Sequence, residues 1–286
     1  MQYLGVIGEP GKKSLSPVFQ QAAIDALGLS YVYEAWPTPP EGLATRITGM
    51  RAPTVLGANV TIPHKEAVMP LLDEIDSLAR RVGAVNTILN REGKLSGYNT
   101  DVEGFLRALR QDAGFDPRGC RAVIAGAGGA ARAVVVALVD AGAASATIVA
   151  RTVARAERLI SELMAGTQVE MSARADTPEA WREAAAGADL LVNCTPLGTA
   201  ATPDADRSPV PIEVIRPNML VYDLVYRPAE TPLLRDAASR GARVLGGLPM
   251  LIYQGAASFK IWTGRDAPVD IMLRAAQTEL AAAGGR

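Results

Sequence analysis

Cysteine is scarce in this chain: 286 residues contain two, Cys120 and Cys194. They lie in different segments, with neither metal-ligand spacing nor a paired framework. That excludes a disulfide scaffold and a cysteine-based metal centre, and fits free thiols in a reducing compartment. Histidine is scarcer still, since His64 is the only one, so it has no companion ligand for a metal. Excess charge is also missing: 29 Lys and Arg stand against 30 Asp and Glu, a net charge of -1. No broad positive field exists to neutralise a phosphate backbone, so nucleic acid is not an expected partner. Long apolar runs are absent, the richest being "AVVVALV", which stops at Asp140, well short of the about 20 residues of a spanning helix. The opening "MQYLGVIGEP" reads as strand and turn, without the basic-then-apolar layout of a signal peptide. No fixed-period repeat or low-complexity segment is present except an Ala/Gly-rich tail expected to fray. What these exclusions leave, at 49% hydrophobic and 21% charged residues, is a soluble cytoplasmic globular protein with no membrane partner.

A chain of this length exceeds what one hydrophobic core usually serves, so two domains are expected. The first hundred residues alternate strand-like runs ("YLGVIG", "YVYEAW", "VLGANVTI", "AVNTIL") with amphipathic stretches such as "VFQQAAIDAL", closed by Gly28. "NREGK" has the polar, glycine-containing look of a hairpin turn, so an antiparallel pair should interrupt a mostly parallel sheet. "VEGFLRALRQDAG" reads as a helix ended by Gly114, with a "DPRG" linker and a domain boundary near it. The rhythm restarts with "RAVIAGAGGAARAVVVALVDAGA", then strands "SATIVAR", "DLLVNCT", "MLVYDLVY" and "ARVLGG", the order of a doubly wound α/β sheet. After Gly247 come two helices with no strand between them, free to cap the second domain or return to the first.

In "VIAGAGGAARA" a strand runs into G-x-G-x-x-A at a helix start, the pattern of a dinucleotide-binding turn. Gly126 permits the tight turn, Gly128 lets backbone approach a pyrophosphate at the helix N-terminus, and Ala131 is small enough for helix–strand packing. The next strand ends in Arg151 where a carboxylate would read the ribose of NAD. Arg155 follows, with Thr152 between, and guanidinium groups suit a 2'-phosphate, so the cofactor should be NADP. A cation at a helix start otherwise opposes the macrodipole.

"NVTIPHK" places Lys65 directly after Pro63 and His64. Read as the first turn of a helix through "KEAVMPLL", this position sets the lysine charge against the macrodipole, which would favour proton release. A lone loop histidine reads as a packing residue, so Lys65 rather than His64 is the candidate. "GYNTDVEG" is a second strand-to-helix junction. Asp101 is either an N-cap or, if the sheet brings the two junctions to one edge, the partner of Lys65 in proton transfer. "SLSP" likewise has two readings: Ser16 before Pro17 as N-cap, or as ligand hydroxyl.

"SLSP", "NVTIPHK", "GAVNT", "GYNTDVEGF", "GAGGAARA", "ART" with Arg155, "NCTPLG", "YDLVYRP" and "GLPMLIYQGA" occur together and in order over nearly the whole chain, and this set resembles the shikimate dehydrogenase family. The resemblance implies an α/β fold of two domains. Residues 1–104, completed by the returning helices of 248–286, would bind substrate, residues 105–247 would form a Rossmann-type NADP domain, and shikimate would lie in the cleft. It also implies that Ser14 and Ser16 hold the substrate carboxylate, with Tyr226 near the same end, and that Thr61, Asn86, Asp101 and Gln254 bind ring hydroxyls. Taken singly, Asn86, Tyr226 and Gln254 read equally well as structural. Lys65 with Asp101 would exchange the proton while NADPH supplies hydride to 3-dehydroshikimate, in the pathway to aromatic amino acids and chorismate; whether the lysine acts as acid or as a fixed charge stays open. Cofactor contacts are implied at Gly126, Ala127, Gly128, Gly129, Ala130, Arg151, Thr152, Arg155, Thr195 and Gly247. The expected assembly is a monomer or homodimer, without metal. The rivals are a quinate or aminoshikimate dehydrogenase, a ligand-sensing paralogue without turnover and, more remotely, a folate-linked dehydrogenase.

Overall fold

The computed structural model describes residues 1–11, 14–163 and 167–284; the tail expected to fray ends in residues 285 and 286, outside the described residues. The chain divides into two compact units, Met1–Gly104 with Ile252–Arg286, and Phe105–Leu251.

In the first unit, β1 (Gln2–Gly8), β2 (Tyr31–Pro37) and β3 (Val55–Val60) are parallel, with α1 (Ser16–Ala26) and α2 (Leu43–Gly49) on the crossovers. The two-residue β4 (Glu74–Ile75) and α3 (Ser77–Val82) lead to β5 (Thr87–Arg91) and β6 (Lys94–Tyr98), giving the sheet order β2-β1-β3-β5-β6-β4. β5 is antiparallel to both β3 and β6, while β4 joins β6 in parallel. The "NREGK" hairpin is there: Arg91 pairs with Lys94, and Glu92 and Gly93 between them have φ of 53° and 84°, the two positive values of a type I′ turn. One face of the sheet packs Ile7, Val60, Ile88 and Leu95 against Leu43, Ile47 and Met50. α4 (Asp101–Gln111) leaves this unit at its first turn, and Gly114 beyond it has φ of 55°.

Two local expectations fail. "KEAVMPLL" forms turns and a short 3-10 stretch at Met69–Leu71 rather than an α-helix. Pro70 has no N–H to offer the Glu66 carbonyl, and the Lys65 carbonyl accepts from the Val85 N–H at 2.8 Å instead of from Met69. The helix of "SLSP" starts one residue early. Leu15, 1% exposed and already helical in φ and ψ, precedes the first turn and its carbonyl receives the Phe19 N–H, so Ser16 is the first helical residue and does not cap.

The second unit contains β7 (Arg121–Ala125), α5 (Gly129–Asp140), β8 (Ser145–Ala150), α6 (Val153–Leu163), β9 (Glu170–Ala175), α7 (Pro178–Ala185), β10 (Leu190–Asn193), β11 (Leu220–Asp223), α8 (Pro232–Ser239) and β12 (Arg243–Leu245). Its sheet order is β12-β11-β10-β7-β8-β9, parallel throughout. Numbered within the unit, that is the 3-2-1-4-5-6 order of the Rossmann fold, with its switch point between β7 and β10. Central strands read as continuous apolar runs because both faces are covered; β10 and β11 are buried along their whole length. α5 is buried from Ala131 to Leu138, and Arg132, the charged residue within that run, pairs with Glu162.

α9 (Leu248–Thr263) begins in the second unit and ends in the first, where α10 (Val269–Gly284) packs along α1. The C-terminal helices thus return to the N-terminal unit. Trp262 seals the return: its Nε1 donates to the Ile88 carbonyl at 2.9 Å, and a Cβ on Gly57 would sit 2.5 Å from that nitrogen, so only glycine lets the indole reach the strand.

Candidate active site

Lys65 follows β3 on an irregular loop and Asp101 opens α4 after β6, and the first unit brings them together. Lys65 Nζ donates to Asp101 Oδ2 at 2.6 Å. The carboxylate side chain is 5% exposed and the lysine 16%, so the pair opens to solvent mainly on the lysine side. The helix-dipole argument for Lys65 falls with the missing helix; a buried carboxylate, not a helix terminus, defines its surroundings. Asp101 is not the N-cap either. The first helical bond, Gly104 N–H to the Thr100 carbonyl, puts Thr100 in that place, and Asp101 Oδ1 instead accepts from Asn86 Nδ2 at 2.9 Å.

Asn86 is the hub of what holds this pair. It is 2% exposed, and Nδ2 also donates to Thr100 Oγ1 at 2.9 Å and to Gln254 Oε1 at 3.2 Å. Its Oδ1 accepts from the Thr100 N–H at 2.8 Å and from Thr87 Oγ1 at 3.0 Å. Behind it, Thr87, Ser258 and Asn59 interlock, and Asn59 Oδ1 accepts from the hydroxyl of Tyr33 at 2.8 Å. Burial pushes the Tyr33 hydroxyl well above its ordinary pKa and keeps it a donor. A network satisfied to this degree fixes a carboxylate more firmly than a surface loop could. None of Asn59, Thr87, Thr100 and Ser258 was singled out from sequence. The available signal was polar residues inside apolar strand runs, Asn59 in "VLGANVTI" and Thr87 in "AVNTIL", which pair across β3 and β5.

Thr61 ends β3's extension, its N–H bonded to the Ile7 carbonyl at 2.9 Å. Ser14 and Ser16 lie together, Ser14 Oγ donating to Ser16 Oγ and accepting the Ser16 N–H, both at 3.1 Å. His64 is 1% exposed with Nε2 2.7 Å from the Thr38 carbonyl; a carbonyl only accepts, so that nitrogen carries a proton and tethers the loop before Lys65.

The glycine turn lies in the second unit. Gly126 has φ of 99°, a conformation L-residues rarely adopt, and its N–H bonds the Val149 carbonyl at 2.8 Å. Gly128 precedes α5, and a Cβ there would project into open space. The first N–H groups of a helix have no partner within it, so the backbone from Ala127 through Gly129 and Ala130 can receive an anion. Ala131 is fully buried beneath. Arg151 and Thr152 stand exposed between the end of β8 and the start of α6, and Arg155 stands exposed in the first turn of α6; neither guanidinium has an ion pair among the described residues. These residues fit a dinucleotide with an extra phosphate. Thr195, two residues past β10, closes on the turn: its Cγ2 would lie 3.0 Å from a Cβ on Gly126. Gly126→Ala should therefore cost about 1–3 kcal/mol of stability and weaken dinucleotide binding, measured by thermal melting and by titration; a fully stable variant would contradict the turn geometry. Tyr226 lies three residues beyond β11, half-buried. Gly247 precedes α9 with no room for a side chain, since a Cβ would overlap the Leu224 carbonyl oxygen, which is a packing reason for glycine. Among the described residues no cluster of His, Cys, Asp or Glu could hold a metal, and no helix is long and apolar enough to cross a membrane.

Comparison with known proteins agrees with both halves. The chain matches the family models described as shikimate dehydrogenase substrate binding domain over residues 6–88, shikimate / quinate 5-dehydrogenase over 109–205, and shikimate 5'-dehydrogenase C-terminal domain over 247–277. It is 47% identical over 283 residues to a shikimate dehydrogenase (NADP(+)) of Moorella thermoacetica, covering 99% of this chain and 95% of that one. A crystal structure of a shikimate dehydrogenase in complex with NADP+ is 40% identical with a TM-score of 0.88, covering 98% and 96% of the two chains. That of the Thermus thermophilus enzyme with NADP(H) and shikimate is 41% identical with a TM-score of 0.85, covering 97% and 99%. With fold, turn and paired loops all in agreement, the chain belongs to the shikimate dehydrogenase family.

Proposed function

We propose that this chain catalyses the reversible NADPH-linked reduction of 3-dehydroshikimate to shikimate, a step toward the aromatic amino acids. The observation that carries this reading is the Lys65–Asp101 pair at 2.6 Å. Reduction of a ketone needs a proton delivered to the forming alkoxide, and a half-buried ammonium held by a fixed carboxylate is placed to deliver it. The bound cofactor supplies the hydride. Residues 1–104 with 248–286 serve as the substrate domain and residues 105–247 as the NADP domain.

Within that reading, Ser14 and Ser16 take the substrate carboxylate, and Tyr226 is a further substrate-binding residue. The Ser16 hydroxyl is not used in capping α1, which supports a ligand role. Thr61, Asn86, Asp101 and Gln254 address ring hydroxyls; Asn86 and Gln254 already touch and share the Asp101 network. Gly126 through Ala130 receive the pyrophosphate, with Thr195 and Gly247 lining the dinucleotide, and Arg151 and Arg155, with Thr152, bind the 2'-phosphate that distinguishes NADP from NAD.

Nicotinamide absorbance after adding shikimate or quinate with NADP or NAD to the purified protein tests this. The expected result is rapid reduction of NADP by shikimate and at least tenfold lower kcat/KM for the other three combinations. Equal or better turnover of quinate would move the chain to the quinate branch named in the same family model, and no turnover of either would leave the reading without support.

A further inference from the structure

At the carboxyl edge of the second unit's sheet lies a carboxylate to which none of the roles above gives a task. Asp223, the last residue of β11, is fully buried, yet among the described residues no cation pairs with it. Its Oδ1 accepts from Asn193 Nδ2 at 2.8 Å and from the Val225 N–H at 3.0 Å, and its Oδ2 accepts from Thr231 Oγ1 at 2.6 Å. Thr231 is engaged in turn, its Oγ1 accepting the Leu234 N–H that starts α8. Each neighbour donates to it, an arrangement that matches the two acceptor oxygens of an ionised carboxylate. A buried charge without a counter-ion is unfavourable as plain architecture.

Beyond Asn193 the chain of contacts continues toward the glycine turn. With Nδ2 committed to Asp223, the amide must turn Oδ1 outward, where it accepts the Thr195 N–H at 2.8 Å and the Thr195 hydroxyl at 2.7 Å. The Cys194 N–H between them bonds the Ala125 carbonyl at 2.9 Å, the residue before Gly126. An amide at position 223 could pair with Asn193 in either orientation; an acceptor-only carboxylate allows one.

We propose that Asp223 and Asn193 are positioning residues for the cofactor half of the reaction: the carboxylate sets the direction of the Asn193 amide, and the amide holds Thr195 against the Gly126 turn in the geometry that receives the dinucleotide. This inference rests on the proposed assignment of that turn to NADP.

Its titration follows from the same surroundings. Burial pushes the Asp223 carboxyl up to about 6, partly offset by the three hydrogen bonds. The groups facing it are the Asn193 amide, the Thr231 hydroxyl, the Val225 N–H and the Cys194 thiol, which burial and the carboxylate both push up so that it stays neutral. The native chain therefore holds this proton more tightly than the unfolded chain, whose aspartate titrates near the ordinary value of 3.8. Ionisation lowers fold stability as pH rises from about 4 to about 6. In the opposite direction, protonation below about 6 removes the acceptor that orients Asn193.

The test is NADPH binding by titration to the purified full chain, with Asp223→Asn, Asn193→Ala and the double variant, alongside thermal melting and the KM for shikimate. Asp223→Asn should melt no lower than the unmodified chain, yet bind NADPH about tenfold more weakly, with the shikimate KM within about twofold. Asn193→Ala should weaken NADPH similarly, and the double variant no further, because the two act through one contact. Between pH 7 and 5 the unmodified chain should lose more NADPH affinity than Asp223→Asn; the cofactor's own phosphate titrates in this range and cancels in that difference. NADPH affinity within about twofold of unmodified in both single variants, or losses that multiply in the double, would overturn the relay while leaving the proposed function intact. An unmodified chain that binds no NADPH overturns the proposed function and the relay with it.

Discussion

Lys65→Ala is expected to lower kcat for NADPH-linked reduction by about a thousandfold, within the range of general acid catalysis, and to change the shikimate KM by less than about threefold. The ammonium is the only cation on Asp101 among the described residues, and the carboxylate is held from behind by Asn86. Removing the lysine therefore deletes the proposed proton donor and leaves the hydrogen-bonded frame of Asn86, Thr100 and Gln254 in place. Steady-state kinetics read this as a fall in kcat and kcat/KM together, the pattern of an interaction made in the transition state. A variant that lost affinity and kept kcat would assign Lys65 to ground-state binding.

Replacing Arg151 and Arg155 together by alanine should raise the KM for NADP by about a hundredfold, with either single replacement giving about tenfold, since each charge-assisted hydrogen bond to a phosphate contributes on the order of 1.5–3 kcal/mol. NAD-linked turnover should stay within twofold, because a bare ribose hydroxyl gains nothing from a guanidinium. Both side chains are exposed and free of ion pairs among the described residues, so nothing competes with the phosphate except solvent. The same exposure makes the interaction sensitive to ionic strength: added salt should weaken NADP binding to the unmodified chain and do so less in the double variant. Equal losses for NADP and NAD would show that the arginines support the fold of the β8–α6 junction instead.

What could be read from the chain alone was whatever short-range chemistry fixes. The hairpin at Glu92–Gly93, the stop at Gly114, the strand–glycine–helix passage through Gly126 and the two final helices all declare themselves by local turn chemistry or periodicity, and all are in the structure. β9 does not declare itself in the sequence. As an edge strand paired only with β8 it carries Glu170, Ser172 and Arg174, so it lacks the apolar run that marks its neighbours. After Lys65 the apolar spacing of a helix is present, but Pro70 removes a bond that the helix needs, and turns form instead. The pairing of Lys65 with Asp101 was legible as topology, two strand-to-helix junctions at one sheet edge, but for a partly mistaken reason. The sheet does bring them together, while the dipole invoked for Lys65 does not exist. The network behind Asn86 was illegible because it joins β3, β5, α4 and α9, residues up to 199 apart, and no local pattern encodes such a meeting.

Lys65→Arg separates charge from proton delivery, since a guanidinium keeps the cation beside Asp101 and does not give up its proton near neutrality. Measured as single-turnover oxidation of NADPH by 3-dehydroshikimate at saturating substrate, this variant should be slower than the unmodified chain by at least a hundredfold and close to Lys65→Ala. A rate within about fivefold of the unmodified chain would mean that position 65 contributes a fixed charge, and that the proton reaches the alkoxide from elsewhere.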